Sequence, residues 1–368
     1  MIKNNVLVAS LLLAAAATPA HAAVFSASGA APANIQATVD SFRIALGTPN
    51  PNVAGSFPSG RREINWDGVP DASAAPNAMS GTFFNTTSPR GVVFSTAGSG
   101  FQVSASAASG TPLRFGNIDP SYTTQFQIFS AQRLFTAIGS NAVQVDFFVP
   151  GTNTPATVSG FGAVFTDAET AGATKFTVFL GNGANGGQFA VPVAVSGGLS
   201  FLGLTDPNRY SRVIIQFGNA AKGAGILDNP GGGVDLVAMD DFIYGEPQLI
   251  ATLDVDQSIT ASKYDALTDG LLVLRYLFGL TGPSLTNGAL GGTATRTDPA
   301  VIKTYLDAIR IPLDIDGNGT ADALTDGLLV IRYLFGLRGS ALIAGAFDPT
   351  GTRTTAAAIE AYIQSLMP

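Results

Sequence analysis

Oxygen-bearing side chains recur on alternate residues in the stretch Asp314-Ile315-Asp316-Gly317-Asn318-Gly319-Thr320-Ala321-Asp322. When the backbone curls, such side chains converge on one point, and a glycine at the sixth position, here Gly319, permits the sharp bend. A ring of carboxylate, amide and carbonyl oxygens suits a hard cation, calcium above all. Asp314, Asp316 and Asn318 would ligate through their side chains, Thr320 through its carbonyl, and Asp322 directly or through water. A loop of this kind places a carboxylate at its twelfth position. Here that residue is Thr325, and Asp326 follows one place later. Asp326 is read as closing the site at the start of the next helix; complementing that helix's N-terminal dipole is the other role open to it. For the whole stretch, an Asx-rich turn without metal is the alternative.

The stretch belongs to an internal repeat. Ala266 to Leu272 recurs unchanged at Ala323 to Leu329, and Arg275 to Leu280 at Arg332 to Leu337, both 57 residues later. The same offset pairs Arg296 with Arg353, Ile302 with Ile359, Tyr305 with Tyr362 and Leu306 with Ile363. One ungapped duplication therefore runs over Asp265 to Ile309 and Asp322 to Leu366. Upstream, Asp254 and Asp256 match Asp314 and Asp316, but the first loop is three residues longer and lacks the bend glycine. Asp254, Asp256, Asp265 and Asp269 either surround a cation in this wider loop or form a metal-free structural copy. Each copy predicts two helices. Leu271 to Leu280, or Leu328 to Leu337, is apolar on almost every side and reads as a core helix. The second carries Ile302, Tyr305, Leu306 and Ile309, or Ile359, Tyr362, Ile363 and Leu366, at the spacing of one helical face. Four such helices predict a compact pseudo-twofold bundle, and any apolar face left uncovered becomes a partner site.

At the other end, Lys3, the apolar run Val6 to Ala17 and Ala20-His21-Ala22 have the pattern of a secretory signal peptide over residues 1–22, with the mature chain expected from Ala23. The protein is accordingly expected outside the cell or on its surface, with no membrane span. Cleavage would remove His21, the only histidine, and the chain has no cysteine. Ser-His-Asp triads, Cys-His pairs, His/Cys zinc sites and disulfide frameworks all need residues the mature chain would lack. With 26 acidic and 19 basic side chains, nucleic acid is not an expected partner.

From about Val24 to Tyr244 the pattern is strand, turn, strand, rich in glycine and phenylalanine, with few stretches suited to a long helix. Ile64 and Trp66 alternate with Glu63 and Asn65; Val143, Val145, Phe147 and Val149 share a face, as do Phe161, Ala163 and Phe165, and Val213, Ile215 and Phe217. The expected fold is an all-β sandwich or jelly roll over residues 23–247, then a small all-α module, EF-hand-like in its loops, over 248–368. Within the β region, Asp240 and Asp241 fall on opposite faces of a regular strand, so sharing a cation would require a bulge, and Asp167 with Glu169 would meet them only if the fold brings two strand ends together. Separate surface carboxylates are the plainer reading. Trp66 would either stack on a sugar or pack in the core, its alternation with Ile64 favouring the core. Glu63 and Asp67 show none of the contrast that an acid pair for glycoside cleavage needs, and no catalytic constellation is recognisable.

The Asp-x-Asp-x-Asn-Gly loop before an apolar helix, in a module duplicated at the C-terminal end of the chain, resembles the type I dockerin repeat. The resemblance covers Leu253 onward, and implies two calcium loops and docking onto a cohesin or similar extracellular protein, often in polysaccharide-degrading assemblies. Where dockerins commonly present a Ser/Thr pair at loop positions ten and eleven, this chain has Ala323-Leu324, and its repeats are longer. Through Ser159 to Phe165 and Met239 to Phe242, the β region resembles jelly-roll ectodomains of secreted bacterial proteins. Two functions are expected from this: a non-catalytic binding or scaffold protein whose β region engages glycan or cell surface, or a carbohydrate-active enzyme with a dockerin-like appendage.

Overall fold

The computed structural model describes residues 23–181, 183–259 and 263–367. The expected signal segment, with His21, lies outside them. The first part of the chain is mostly β: β1 (Ala23–Gly29), β2 (Arg61–Ile64), β3 (Val92–Ser95), β4 (Gly100–Val103), β5 (Phe135–Ile138), β6 (Ala142–Phe147), β7 (Ala156–Thr166), β8 (Lys175–Leu180), β9 (Asn185–Ala190), β10 (Leu199–Gln216), β11 (Ala238–Gly245) and β12 (Gln248–Leu249). All strand pairs are antiparallel.

The pairing follows the order β3-β6-β10-β7-β11-β5-β4 and makes one continuous network. Two separate sheets were the expectation, and the long strand β10 explains the difference. Its residues 199–205 lie between β1 and β7, and residues 212–216 between β6 and β8, with a register irregularity at Tyr210 to Arg212. One strand thus belongs to both layers, and the sheet curls around its apolar face. The ends β3 and β4 are joined through the segment 79–81: Phe94 N donates to Gly81 O, and Met79 N to Phe101 O. The curl is nearly closed. Inside it, Trp66 stacks on Phe135 with ring centroids 4.1 Å apart, and Phe84, Phe94, Phe161 and Phe242 pack around them.

A 15-residue helix, α1 (Pro32–Leu46), stands in the region where few stretches were expected to suit a long helix and none was named. Its signal is present in the sequence: Pro32 at the first turn, Gly47 at the end with φ +95°, and Ile35, Val39, Phe42 and Leu46 on one face. That face packs on the outside of β7 and β10, which explains why β7 is buried on both sides. Gly162 and Gly203 are register partners, and a Cβ on either would lie within 2.8 Å of the Phe42 ring, so the two glycines form the notch that the ring occupies. Burying Phe42 there contributes about 2 kcal/mol. The short helices α2 (Phe83–Thr86) and α3 (Tyr122–Gln125) complete this part.

Beyond Tyr244 the chain enters a different core. Glu246 is held by a fully buried bidentate pair with Arg62, β12 adds to β7, and from Leu253 onward the buried apolar residues form their own cluster. Helices α4 (Leu271–Leu277), α5 (Pro283–Thr286) and α6 (Pro299–Ala308) are repeated as α7 (Leu328–Leu334), α8 (Ser340–Ile343) and α9 (Ala356–Ser365). The apolar helices are three residues shorter than their sequence pattern. Gly279 and Gly336 take φ +82° and +88°, and Leu280 N and Leu337 N bond back to the carbonyls of Arg275 and Arg332, a helix-ending turn. Ile302, Tyr305, Leu306 and Ile309 face the core as expected, as do Ile359, Ile363 and Leu366, with Tyr362 partly buried. Among the described residues no helix is long and apolar enough to cross a membrane.

Candidate metal centre

Each copy of the repeat gathers three carboxylates. Asp314, Asp316 and Asp326 can each place an oxygen within 4.8 Å of the others, and so can Asp254, Asp256 and Asp269. The donor set is all oxygen, as a hard cation requires. Asp256, Asp269, Asp316 and Asp326 are fully buried, while Asp254 and Asp314 stand at the solvent edge.

The one-residue displacement of Asp326 has a structural answer. Ala323–Gly327 and Ala266–Gly270 are single turns of π-helix, closed by bonds from Gly327 N to Asp322 O and from Gly270 N to Asp265 O. A π turn accommodates one more residue than an α turn. The carboxylate at the thirteenth position therefore arrives where one at the twelfth would otherwise stand. It is locked there: Asp326 Oδ1 accepts from Ile315 N and Asp316 N, and Oδ2 from Asp322 N and the Thr325 hydroxyl. Asp269 takes the equivalent four bonds from Val255, Asp256, Asp265 and Thr268. The second π turn packs against α4 and the first against α7, with Gly327 and Gly270 at the closest approach.

Asp322 and Asp265 are not brought into the clusters. Their side chains cap the π turns, Asp322 accepting from Leu324 N and Thr325 N, and Asp265 from Leu267 N. Asn318 lies beside the second cluster, its N–H bonded to Asp314 and Asp316 and its side-chain oxygen accepting from Thr320 N; Thr320 itself is exposed. Asp314 accepts from Gly317, Asn318 and Gly319, which curls the loop around it.

Three features escaped the sequence reading. Ser258 stands two residues after Asp256, as Asn318 stands after Asp316, so the first loop also reads Asp-x-Asp-x-polar. Ser258 is 2% exposed, and neither its hydroxyl nor Asp254 Oδ1 has a hydrogen-bond partner among the described residues. Gly291 N and Asp348 N, 57 residues apart, donate to Asp256 Oδ2 and Asp316 Oδ2 at 2.7 Å. Finally, Arg296 and Arg353 bond loop carbonyls, those of Val255 and of Ile315 and Asp314, while stacking on Tyr305 and Tyr362. The extra length of each repeat thus supplies a strap over its own loop. Burial, followed by the charge of Asp256, pushes Asp269 up to about 6, and burial also raises Asp254, Asp316 and Asp326. Groups so placed gain from a cation that takes the place of the proton.

In the β region, Trp66 is fully buried and its indole N–H donates to the Asp240 carbonyl, so it faces no sugar. Glu63 is occupied by Arg43 and Arg61, and Asp67 accepts from Gln132 N and Arg133 N. A bulge between Met239 and Phe242 does occur, and Asp240 and Asp241 both reach Ser130. Burial first, and then Asp241, raises Asp240 well above the carboxylate range, while Arg43 pairs with Asp241. Asp167 and Glu169 do not join them: they cluster with Asp228, from a connection that the sequence pattern did not place. No protein-family model matches the sequence, and no curated protein matches it.

Proposed function

We propose that this chain is a secreted, non-catalytic binding or scaffold protein, whose C-terminal repeat is a calcium-ordered, dockerin-like docking module and whose β region engages glycan or cell surface. The observation that carries this reading is the recurrence of one carboxylate cluster at the same place in both copies, despite loops of different length. Calcium would be held by Asp314, Asp316 and Asp326 with Asn318 and the Thr320 carbonyl, and by Asp254, Asp256 and Asp269 with Ser258. Leu267 with Leu324, and Phe278 with Phe335, are more than half exposed and repeat at the 57-residue offset, presenting two related apolar faces. Calcium that orders the loops raises the population of the docking-competent state. The test is retention of the full chain on an immobilised type I cohesin, with calcium and with chelator. Retention in calcium, lost in chelator and in Leu267→Glu/Leu324→Glu, is expected; no retention of the calcium-loaded chain removes the cohesin partner. Release of reducing ends from a polysaccharide panel would instead favour a carbohydrate-active enzyme.

A further inference from the structure

The cluster Asp167, Glu169 and Asp228 lies outside the repeat, and its three carboxylates each bring an oxygen within 4.8 Å of the others. Asp167 and Glu169 follow the end of β7, whereas Asp228 comes from the long connection between β10 and β11. Asp235, later in that connection and fully buried, lies beside them. Its Oδ2 accepts from Thr170 N, one residue beyond Glu169, its charge bears on Asp167, and its Oδ1 has no hydrogen-bond partner among the described residues. Glu169 Oε2 is likewise buried without a partner. Buried anionic oxygens without donors are costly, and four carboxylates in one place repel one another.

The nearby cation, Lys222, answers this only in part: the charges of Asp167, Asp235 and Asp228 bear on it, without a direct ion pair to any of the four carboxylates among the described residues. It is fully enclosed, and its ammonium donates to the Val237 carbonyl and the Thr136 hydroxyl. Asp167 is pushed up to about 6 by burial and then by Glu169 and Asp235, and Asp228 to about 7 by burial and then by Asp167 and Glu169. A divalent cation would supply the missing positive charge and use the free oxygens.

We propose that Asp167, Glu169, Asp228 and Asp235 form a structural calcium site that pins the connection 217–237 onto the end of β7. The ligands are all carboxylate oxygens, and the set has no imidazole or thiolate to favour zinc. Magnesium demands a near-ideal octahedron and keeps most of its waters, which suits this buried and uneven set less than calcium does. The connection is a long segment with little regular structure, and such segments in compact folds need ties of their own. Within it, Asp228 Oδ1 accepts from Leu236 N, and from outside it Asp119 Oδ2 accepts from Gly225 N; the cation would add the tie from its middle to β7.

Hydrogen–deuterium exchange of the full chain, with and without millimolar calcium, tests the site. Calcium is expected to slow exchange across 219–236 about tenfold or more, whereas equimolar magnesium does so weakly. Asp228→Asn should abolish that protection and leave any calcium response of 311–327 intact. Glu169→Gln, at a partly exposed position, provides the same test if Asp228→Asn does not fold, and the unaltered chain decides alone if neither does. An unchanged 219–236 segment in calcium overturns the site whatever 311–327 shows, as does protection that persists in both variants; equal protection by magnesium overturns the assignment to calcium. The response of 311–327 is read separately, so failure here is distinguishable from failure of the docking module.

Discussion

The two loops of the repeat reach the same end by different routes. In the second, Gly317 and Gly319 take φ +75° and +94°, and three amides turn inward onto Asp314. The first is longer, bends at Gln257 with φ +55°, and leaves Asp254 Oδ1 and the Ser258 hydroxyl without partners among the described residues. Yet Asp269 and Asp326 hold equivalent bonds in both. The aspartate locked in the π turn sets the position of the cluster, and the loop ahead of it would determine only how much of a cation's coordination is prepared in advance.

The largest effect should come from that anchor. Asp326→Ala or Asp269→Ala leaves three backbone donors and one hydroxyl without their acceptor, and about 3 kcal/mol or more should be lost in urea unfolding of the full chain, even in chelator. A loss below about 1 kcal/mol in both variants would place the anchor elsewhere.

Next is the calcium increment itself, about 2.7 kcal/mol for a site at a hundredfold excess over its dissociation constant. Thermal unfolding with calcium and with chelator should show Asp314→Ala losing more of this increment than Asp254→Ala, because the glycine-bent loop is already curled. Equal losses would make the two loops equivalent binders, and an unaltered increment in Asp254→Ala would make the first copy purely structural.

Smaller changes sharpen the contrast. Gly319→Ala meets no atom within 4 Å but must hold φ +94°, so about 1 kcal/mol of stability should be lost through backbone strain alone. Ser258→Ala removes a hydroxyl with no partner among the described residues, and should leave stability in chelator unchanged while weakening calcium binding measured by titration calorimetry. A loss of stability in chelator would show that the hydroxyl has a structural partner.

The last effect is a pH dependence. Asp269, at about 6 when folded, keeps its proton over roughly pH 4 to 6, where the unfolded chain has released it. In chelator this group's contribution therefore falls as pH rises through that window and is level above it. Calcium bound at Asp269 would displace the proton, so the calcium increment should grow from pH 5 to pH 7; an increment independent of pH would show that Asp269 does not bind the ion.

Much of this was legible in residue order. The 57-residue repeat and the inward faces of α6 and α9 were readable because periodicity reports burial directly. Helix α1 carried its pattern too, but it lay within a region dominated by strand punctuation, and the two-glycine notch that receives Phe42 joins residues far apart in the chain. Alternation placed Asp322 among the ligands, direct or through water, and Asp265 stood open between a wider cation loop and a metal-free copy; a short side chain just before a helical turn has free N–H groups at hand, and both cap them.

Local order by itself determined which segments curl, extend or coil, because bend glycines, alternation and helical spacing act over a few residues. Tertiary structure alone decided which carboxylates meet. Asp326 reaches Asp314 only because a π turn packed on a neighbouring helix absorbs one residue. Asp167 meets Asp228 rather than Asp240 because the connection after β10 folds back onto β7. Convergence of charges depends on how elements pack, and packing is settled by contacts between residues that no local pattern joins.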